Sequence, residues 1–204
     1  MNFNYIHEEA RSEVPANELL NEPTQHTCFS GLIDQLFDRS WKNSPSTVML
    51  TSPHRRAGVS FICSNIAAEL ALQGGKVLLV DAQALLAVRL CSPQLVAALC
   101  RRMGHLDVSV LAMEDIGEWS VGPEAGESSV TGSQLRELER EFSFVLIDAP
   151  ALSAGMDAKL LAPSVYGTVI VARANQTRDE ELRKTYQTLT EVGGLVLGSV
   201  FNAH

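Results

Sequence analysis

The sequence predicts an α/β fold, with a mostly parallel, doubly wound sheet flanked by helices, and two observations lead to this prediction. Short apolar runs rich in Val, Ile and Leu alternate along the chain with longer segments of helical character. The runs are continuously apolar, which indicates strands that are buried on both faces. Strands separated by helices favour right-handed crossovers and parallel pairing. In sheets of this kind ligands bind at the carboxyl ends of the strands.

Length and composition suit an ordinary globular protein. The chain has 204 residues, of which 46% are hydrophobic and 20% charged, and its formal net charge is −8. An acidic chain repels nucleic acid at long range, so no nucleic-acid partner is expected. No apolar run reaches the roughly 20 residues of a membrane helix, the first residues do not resemble a secretory signal, and the four cysteines match no metal or redox motif. We therefore expect a cytoplasmic protein.

The first 27 residues differ in character from the rest. Residues 1–27 are polar and acidic, contain two prolines and show no sustained period, so we expect an arm that is flexible or docked on the domain. Residues 28–204 are predicted to form a single domain. That domain opens with a short amphipathic helix over residues 29–41, where apolar side chains recur near helical spacing.

Six strands are predicted from apolar runs, two of which end directly before an aspartate. They are Thr47–Leu50, Lys76–Val80, Val108–Leu111, Phe144–Ile147, Thr168–Ala172 and Leu195–Phe201. The helices between them follow from apolar periodicity, from a proline allowed in a first turn, and from glycine pairs as stop signals. They are Ser60–Leu72, Pro93–Met103, Ser133–Glu141 and a helix opened by a capping box of Thr177 and Glu180. Residues 114–130, rich in Gly, Ser, Glu and Pro, are predicted to be a surface loop.

The segment from the first strand into the first long helix has the topology of a phosphate-binding loop. In such a loop backbone N–H groups wrap the phosphates, a lysine neutralises them, and a hydroxyl binds Mg²⁺. Gly58 and Ser60 fit that pattern, but Val59 occupies the lysine position. Arg55 and Arg56 could supply charge in its place, although both precede Gly58 and are otherwise solvated loop residues.

Two aspartates are candidate metal ligands and, in an active enzyme, catalytic residues. Asp81 and Asp148 each follow an apolar strand and could hold Mg²⁺ together with Ser60. The alternative is that both simply end buried strands and cap the adjacent turns. ATP with Mg²⁺ is the ligand expected if nucleotide binds at all.

At these residues the sequence resembles the cytoplasmic domain of the bacterial tyrosine kinases of capsule and exopolysaccharide synthesis, which are relatives of the MinD/ParA P-loop ATPases. The resemblance extends over three quarters of the chain, from about Thr47 to Asn202. The segments that carry it are Thr51-Ser52-Pro53, Ser64–Ala67, Gly75–Ala82, Phe144–Pro150, Asp157–Ala162 and Gly198–Asn202. The resemblance implies a P-loop NTPase-like fold. It also implies docking on the cytoplasmic part of a membrane protein for polysaccharide chain length or export, and on further copies of the chain.

Position by position, the resemblance assigns a role to each candidate residue. Gly58 and Ser60 match the Walker A segment, and Asp81 matches the first aspartate of the strand-end motif called Walker A′. Asp148 matches the Walker B aspartate, and Asn202 ends a strand where the family often contacts adenine.

The departures from the family motifs bear on activity. Val59 replaces the Walker A lysine, Gln83 replaces the second Walker A′ aspartate, and Tyr166 stands where the family usually has an aspartate. The chain has only three tyrosines, Tyr5, Tyr166 and Tyr186, so we expect that it lacks the tyrosine-rich tail of the family. Loss of one preorganised charge commonly costs ~10²–10³ in rate.

We therefore predict a catalytically impaired kinase-like protein. It would act as a regulatory or interaction module in capsule or exopolysaccharide biosynthesis and export. We expect it at the inner membrane, held there by its membrane partner. The alternatives are an active ATP-binding tyrosine autokinase or ATPase of the same pathway, and a positioning protein like MinD or ParA.

Overall fold

The structure of the chain, a computed structural model, describes residues 5–8, 26–37, 47–88, 96, 99–116 and 132–203. Eight strands lie within these residues: β1 (Tyr5–Glu8), β2 (Thr47–Thr51), β3 (Val77–Asp81), β4 (Arg101–Arg102), β5 (Val108–Leu111), β6 (Phe144–Asp148), β7 (Gly167–Arg173) and β8 (Val196–Asn202). They form one sheet in the order β1-β8-β7-β2-β6-β3-β5-β4. Every pair is parallel except β4 with β5.

Helices cover both faces of the sheet, which confirms the predicted α/β, doubly wound fold. Those in the described ranges are α1 (His26–Leu36), α2 (Val59–Leu72), α3 (Ala82–Ala87), α4 (Met113–Ile116), α5 (Gly132–Glu141), α6 (Asp157–Leu161) and α7 (Asp179–Glu191). None of these helices combines the length and the apolar character that a membrane crossing requires.

The hydrophobic core divides into two clusters, one on each face of the sheet. Strand β2 shows the division: Met49 belongs to one cluster, while its neighbours Val48 and Leu50 belong to the other. All three side chains are fully buried, because successive side chains of a strand point to opposite faces and both faces are covered. The central position of β2, between β6 and β7, therefore fixes where the following loop emerges.

The predicted helix Pro93–Met103 is wrong at its carboxyl end. Arg101 and Arg102 form an edge strand antiparallel to β5. The Met103 N–H donates to the Val108 carbonyl oxygen over 2.9 Å, closing a turn around Gly104, whose φ is +55°. The extended strand satisfies these backbone groups by pairing with β5 at the edge of the sheet.

Three short helices were not predicted. Helix α3 follows β3 directly, α6 lies between β6 and β7, and α4 occupies the start of the segment 114–130 that was predicted to be a loop. The capping box of Thr177 and Glu180 was wrong by one residue: the N-cap of α7 is Arg178, whose N–H donates to Glu181 Oε2 over 2.9 Å, and the helix begins at Asp179. Thr177 instead accepts a hydrogen bond from the N–H of Arg173 over 2.9 Å.

Some predictions fall outside the described residues. These are most of the arm 1–27, the end of the first predicted helix beyond residue 37, residues 93–95, 97 and 98 of the predicted helix Pro93–Met103, and the predicted loop beyond residue 116. Within the arm, β1 pairs in parallel with β8 at the edge of the sheet, and α1 begins at His26. The division at residue 27 stays a prediction.

Candidate functional site

The turn that opens α2 is built around Gly58. This residue has a φ of +88° and precedes the first helical residue, Val59. A Cβ atom at position 58 would lie 2.0 Å from Nδ2 of Asn202. The backbone conformation and the neighbouring amide therefore both require glycine at this position. The glycine of the predicted phosphate-loop pattern therefore makes a left-handed turn into helix α2.

Arg56 also has a left-handed backbone, with a φ of +65°. For a residue with a Cβ this conformation costs roughly 1–2 kcal/mol. Two side chains from neighbouring strands hold the loop in this shape. Arg173 Nη1 donates to the Arg56 carbonyl oxygen over 3.4 Å, and Asn202 Nδ2 donates to the Ala57 carbonyl oxygen over 3.0 Å. The carboxyl ends of β7 and β8 therefore determine the conformation of the loop.

Asn202 has a role in the structure that was not predicted. Its side chain is buried against the back of the loop, and it does not line the cavity described below. The contact with adenine that the resemblance implied for this residue stays a prediction.

A further contact ties the loop to helix α7. His54 Nε2 lies 3.0 Å from Glu181 Oε1. The N–H of Arg178 also donates to Glu181, and this hydrogen bond, followed by the one with His54, lowers the pKa of the Glu181 carboxyl. Glu181 thus joins the first turn of α7 to the loop.

Beneath the loop, the segments after β2 and β6 are bonded to each other. Thr51 Oγ1 donates to the Pro150 carbonyl oxygen over 2.8 Å, and the Leu152 N–H donates to the Ser52 carbonyl oxygen over 2.9 Å. Ser52 Oγ in turn donates to the His54 carbonyl oxygen over 2.8 Å. These bonds fix the loop relative to the end of β6, where Asp148 lies.

The two candidate metal ligands face each other across adjacent strands. Asp81 ends β3 and Asp148 ends β6, and the two residues are register partners. Asp148 accepts a hydrogen bond from the Ser60 side chain. Burial raises the pKa of the Asp148 carboxyl, the Ser60 bond lowers it, and the charge of Asp81 raises it further. The arrangement brings together Ser60, Asp81 and Asp148, and their role as metal ligands stays a prediction.

Asp81 also performs the capping role that was considered as the alternative. Its Oδ1 accepts from the N–H groups of Gln83 over 2.7 Å and Ala84 over 3.1 Å, which starts α3. Gln83, at the position of the second Walker A′ aspartate, donates from Nε2 to Asp157 Oδ2 over 3.3 Å. The amide therefore joins α3 to α6.

A cavity of about 420 Å³ opens between the loop and the carboxyl ends of β3 and β6. Its lining includes the predicted ligand residues other than Asn202, together with both loop arginines and the residues at two departures from the family motifs: Arg55, Arg56, Gly58, Val59, Ser60, Asp81, Gln83 and Asp148. Both arginine side chains are exposed. No lysine is present among the described residues that line the cavity. No group of three or more His, Cys, Asp or Glu side chains suited to a metal occurs in the described part of the chain.

The cavity has the size of a site for a phosphate-bearing ligand, with carboxylates that could hold a metal ion through water. It lacks the fixed ammonium group that a P-loop directs at the terminal phosphates. The cations that it does have are guanidinium groups on exposed side chains.

Comparison with known proteins agrees with the observed fold. No protein-family model matches the chain. The fold is P-loop NTPase-like: the cell division ATPase MinD of Pyrococcus furiosus superimposes with a TM-score of 0.58 at 20% identity, covering 79% of this chain and 73% of that one. The chimerical protein CapA2B2 superimposes with a TM-score of 0.71 at 20% identity, over 97% of this chain and 92% of that one.

In sequence the chain is similar to tyrosine-protein kinases. CapB of Staphylococcus aureus, which is named as one, is 24% identical over 97% of this chain and 88% of its own length. The tyrosine-protein kinase YwqD of Bacillus subtilis is 26% identical, over 90% of this chain and 81% of its own length. The kinase domain of the Escherichia coli tyrosine kinase ETK superimposes with a TM-score of 0.67 at 17% identity, over 95% of this chain and 82% of that domain.

Proposed function

We propose that this chain is a catalytically impaired P-loop protein, a pseudokinase, that serves as a regulatory or interaction module in capsule or exopolysaccharide biosynthesis and export. The observation that carries the proposal is Val59. It occupies the lysine position in a loop whose other features are those of a phosphate loop: the left-handed Gly58, the start of α2, and the Ser60–Asp148 contact. The shape of the site is kept, but its principal charge is absent.

The size of the expected defect follows from the missing charge. Removing one preorganised electrostatic contact commonly costs several kcal/mol in transition-state stabilisation, or ~10²–10³ in rate. Gln83 removes a second group, a carboxylate, and its amide is bonded to Asp157. Both changes weaken phosphoryl transfer, while the hydrogen bonds that shape the loop involve neither residue.

The pathway and the partner are proposed from similarity. The resemblance to the capsule and exopolysaccharide kinases supports a role in that process, alongside the cytoplasmic part of a membrane protein for chain length or export. The likeness to a chimerical protein named CapA2B2 supports a partner protein of that kind. We propose that the module acts at the cytoplasmic face of the membrane through this partner.

The test is a calorimetric titration with ATP and Mg²⁺ combined with an assay of steady ATP turnover. The wild-type chain is expected to show no turnover, and Val59→Lys is expected to raise the affinity for ATP at least about tenfold. Val59→Met is the matched control, since it lengthens the side chain without adding charge and should leave the affinity unchanged. Steady turnover by the wild-type chain would contradict the proposal.

The second candidate is an active tyrosine autokinase or ATPase with a rearranged loop. It is favoured by one observation: Arg55 and Arg56 both line the cavity that also contains Asp81 and Asp148. A guanidinium group can bind phosphate. Mg²⁺-dependent ATP hydrolysis that Asp148→Ala abolishes would establish this candidate in place of the first.

A further inference from the structure

Helix α6 carries two exposed apolar side chains beside the cavity. Met156, the residue before the helix, is 56% exposed, and Leu160 is 45% exposed. The Leu160 N–H donates to the Met156 carbonyl oxygen over 3.0 Å, so the two residues are one helical turn apart and share a face. We call Met156 and Leu160 the α6 ledge.

The α6 ledge lies near the cavity, although neither Met156 nor Leu160 lines it. Ala154 lines the cavity and is two residues from Met156. Gln83 also lines it, and donates to Asp157 at the start of α6 over 3.3 Å. Chain connectivity and a cross-helix hydrogen bond therefore both place the ledge at the edge of the candidate site.

Cationic side chains lie around the same opening. Arg55 and Arg56 line the cavity from the loop, and both are exposed. Among the described residues, neither guanidinium group takes part in an ion pair. On α6, Lys159 Nζ lies 3.7 Å from Met156 Sδ, so a further positive charge lies beside the ledge. The surface therefore combines apolar area with unpaired arginine charge.

We propose that the α6 ledge and the two loop arginines form a docking surface for a segment of another protein that carries apolar side chains and carboxylates. Apolar side chains would pack on Met156 and Leu160, and carboxylates would pair with Arg55 and Arg56. Methionine adapts to varied apolar surfaces, and arginine binds carboxylate with two parallel hydrogen bonds. This inference rests on the proposed function, because it supplies the contact surface of an interaction module.

A peptide suits this surface better than nucleic acid does. The carboxylates of Asp81, Asp148 and Asp157 lie in or next to the same cavity, and the whole chain has a formal net charge of −8. A polyphosphate backbone would bring closely spaced negative charges against these groups. An amphipathic peptide brings separated carboxylates with apolar side chains between them.

The test uses two fluorescently labelled synthetic helical peptides. Both have the same apolar face of leucines, but the polar face carries glutamate in the first peptide and lysine in the second. Binding to the full chain is followed by fluorescence anisotropy. The glutamate peptide is expected to bind at least about tenfold more tightly than the lysine peptide. Leu160→Gln and Arg55→Gln should each weaken it several-fold. Leu72→Gln, at an apolar residue 51% exposed on α2, and Arg183→Gln on α7 are matched controls and should have no effect.

Equal binding of the two peptides, or binding insensitive to Leu160→Gln and Arg55→Gln, would overturn the inference. Self-association of the chain that Leu160→Gln abolishes would show that the ledge binds a second copy, and would overturn it as well. Circular dichroism of each variant checks that the fold is kept. ATP turnover is measured separately, so a failure of the proposed function can be distinguished from a failure of the docking surface.

Discussion

The side-chain amide of Asn202 lies directly against Gly58, where a Cβ atom would stand 2.0 Å from Nδ2. The same nitrogen donates to the carbonyl oxygen of Ala57 over 3.0 Å. The last residue of β8 thus both selects glycine at the turn and holds the preceding peptide in place.

Replacing Gly58 by alanine should destabilise the protein. The new Cβ would meet the Asn202 amide, and the left-handed backbone would add strain, so we expect the free energy of unfolding to fall by about 2 kcal/mol. Denaturant unfolding measures this change. Gly198→Ala is the control: no atom lies within 4 Å of its Cβ position, so the substitution should be neutral or stabilising by about 0.5 kcal/mol. Equal effects of the two substitutions would argue against the Asn202 contact.

The Asn202 contact also predicts non-additivity. Asn202→Ala alone should cost about 1 kcal/mol, because Ala57 loses a buried hydrogen-bond donor. In the double variant Gly58→Ala/Asn202→Ala the new Cβ no longer clashes with the amide. The loss of stability in the double variant should therefore be about 1 kcal/mol smaller than the sum of the losses in the two single variants. A double-mutant cycle by denaturant unfolding tests the coupling, and strict additivity would count against it.

Replacing Arg56 by glycine should stabilise the fold. Glycine adopts the positive φ without strain, and the roughly 1–2 kcal/mol that is relieved exceeds the added freedom of the unfolded chain. We expect a net gain of about 0.5 kcal/mol, read from the thermal midpoint and from denaturant unfolding. Arg55→Gly, at a residue without a positive φ, should instead lower stability. A loss at position 56 as large as at position 55 would contradict the argument.

The pH dependence of stability should change when Asp148 is replaced by asparagine. Its pKa is raised in the folded state, mainly by burial, so the folded protein binds this proton more tightly than the unfolded chain. The resulting stability is present below the unfolded pKa and is lost as the pH rises through the folded pKa. Asp148→Asn should therefore be more stable than wild type at neutral pH, with a difference that shrinks in acid.

Denaturant unfolding from acid to neutral pH tests this expectation. Asp107→Asn, at an exposed carboxylate, serves as the control and should not show such a gain at neutral pH. A constant difference between Asp148→Asn and wild type across the pH range would mean that titration of Asp148 does not contribute.

The strands could be predicted because a strand that is buried on both faces consists of a continuous run of apolar residues. Runs such as 144–147 have only apolar residues, and the structure places β6 there within one residue. The short helices could not be predicted in this way. Helix α3 depends on the cap supplied by Asp81, and α6 on packing against its neighbours, so neither has a long apolar period.

Some residues of the candidate site could likewise be predicted from the sequence, and others could not. Gly58, Ser60, Asp81 and Asp148 could be predicted because motif spacing and strand ends place them at one edge of the sheet. The residues that hold the loop in its conformation could not be predicted from the sequence. Arg173 contacts residue 56 across 117 positions of sequence, and the contact between His54 and Glu181 arises only from packing. No local pattern marks such residues, whose partners are set by the strand order.

The long-range contacts that hold the loop also have a consequence for folding during synthesis. A ribosome releases residues 51–60 long before it releases Arg173, Glu181 and Asn202, which secure them. A nascent chain halted before β8 would thus carry the whole loop together with Arg173 and Glu181, but it would lack Asn202. We expect the cavity to take its final shape only when β8 has joined the sheet. A partner that binds this surface would therefore bind the folded protein and not an incomplete nascent chain.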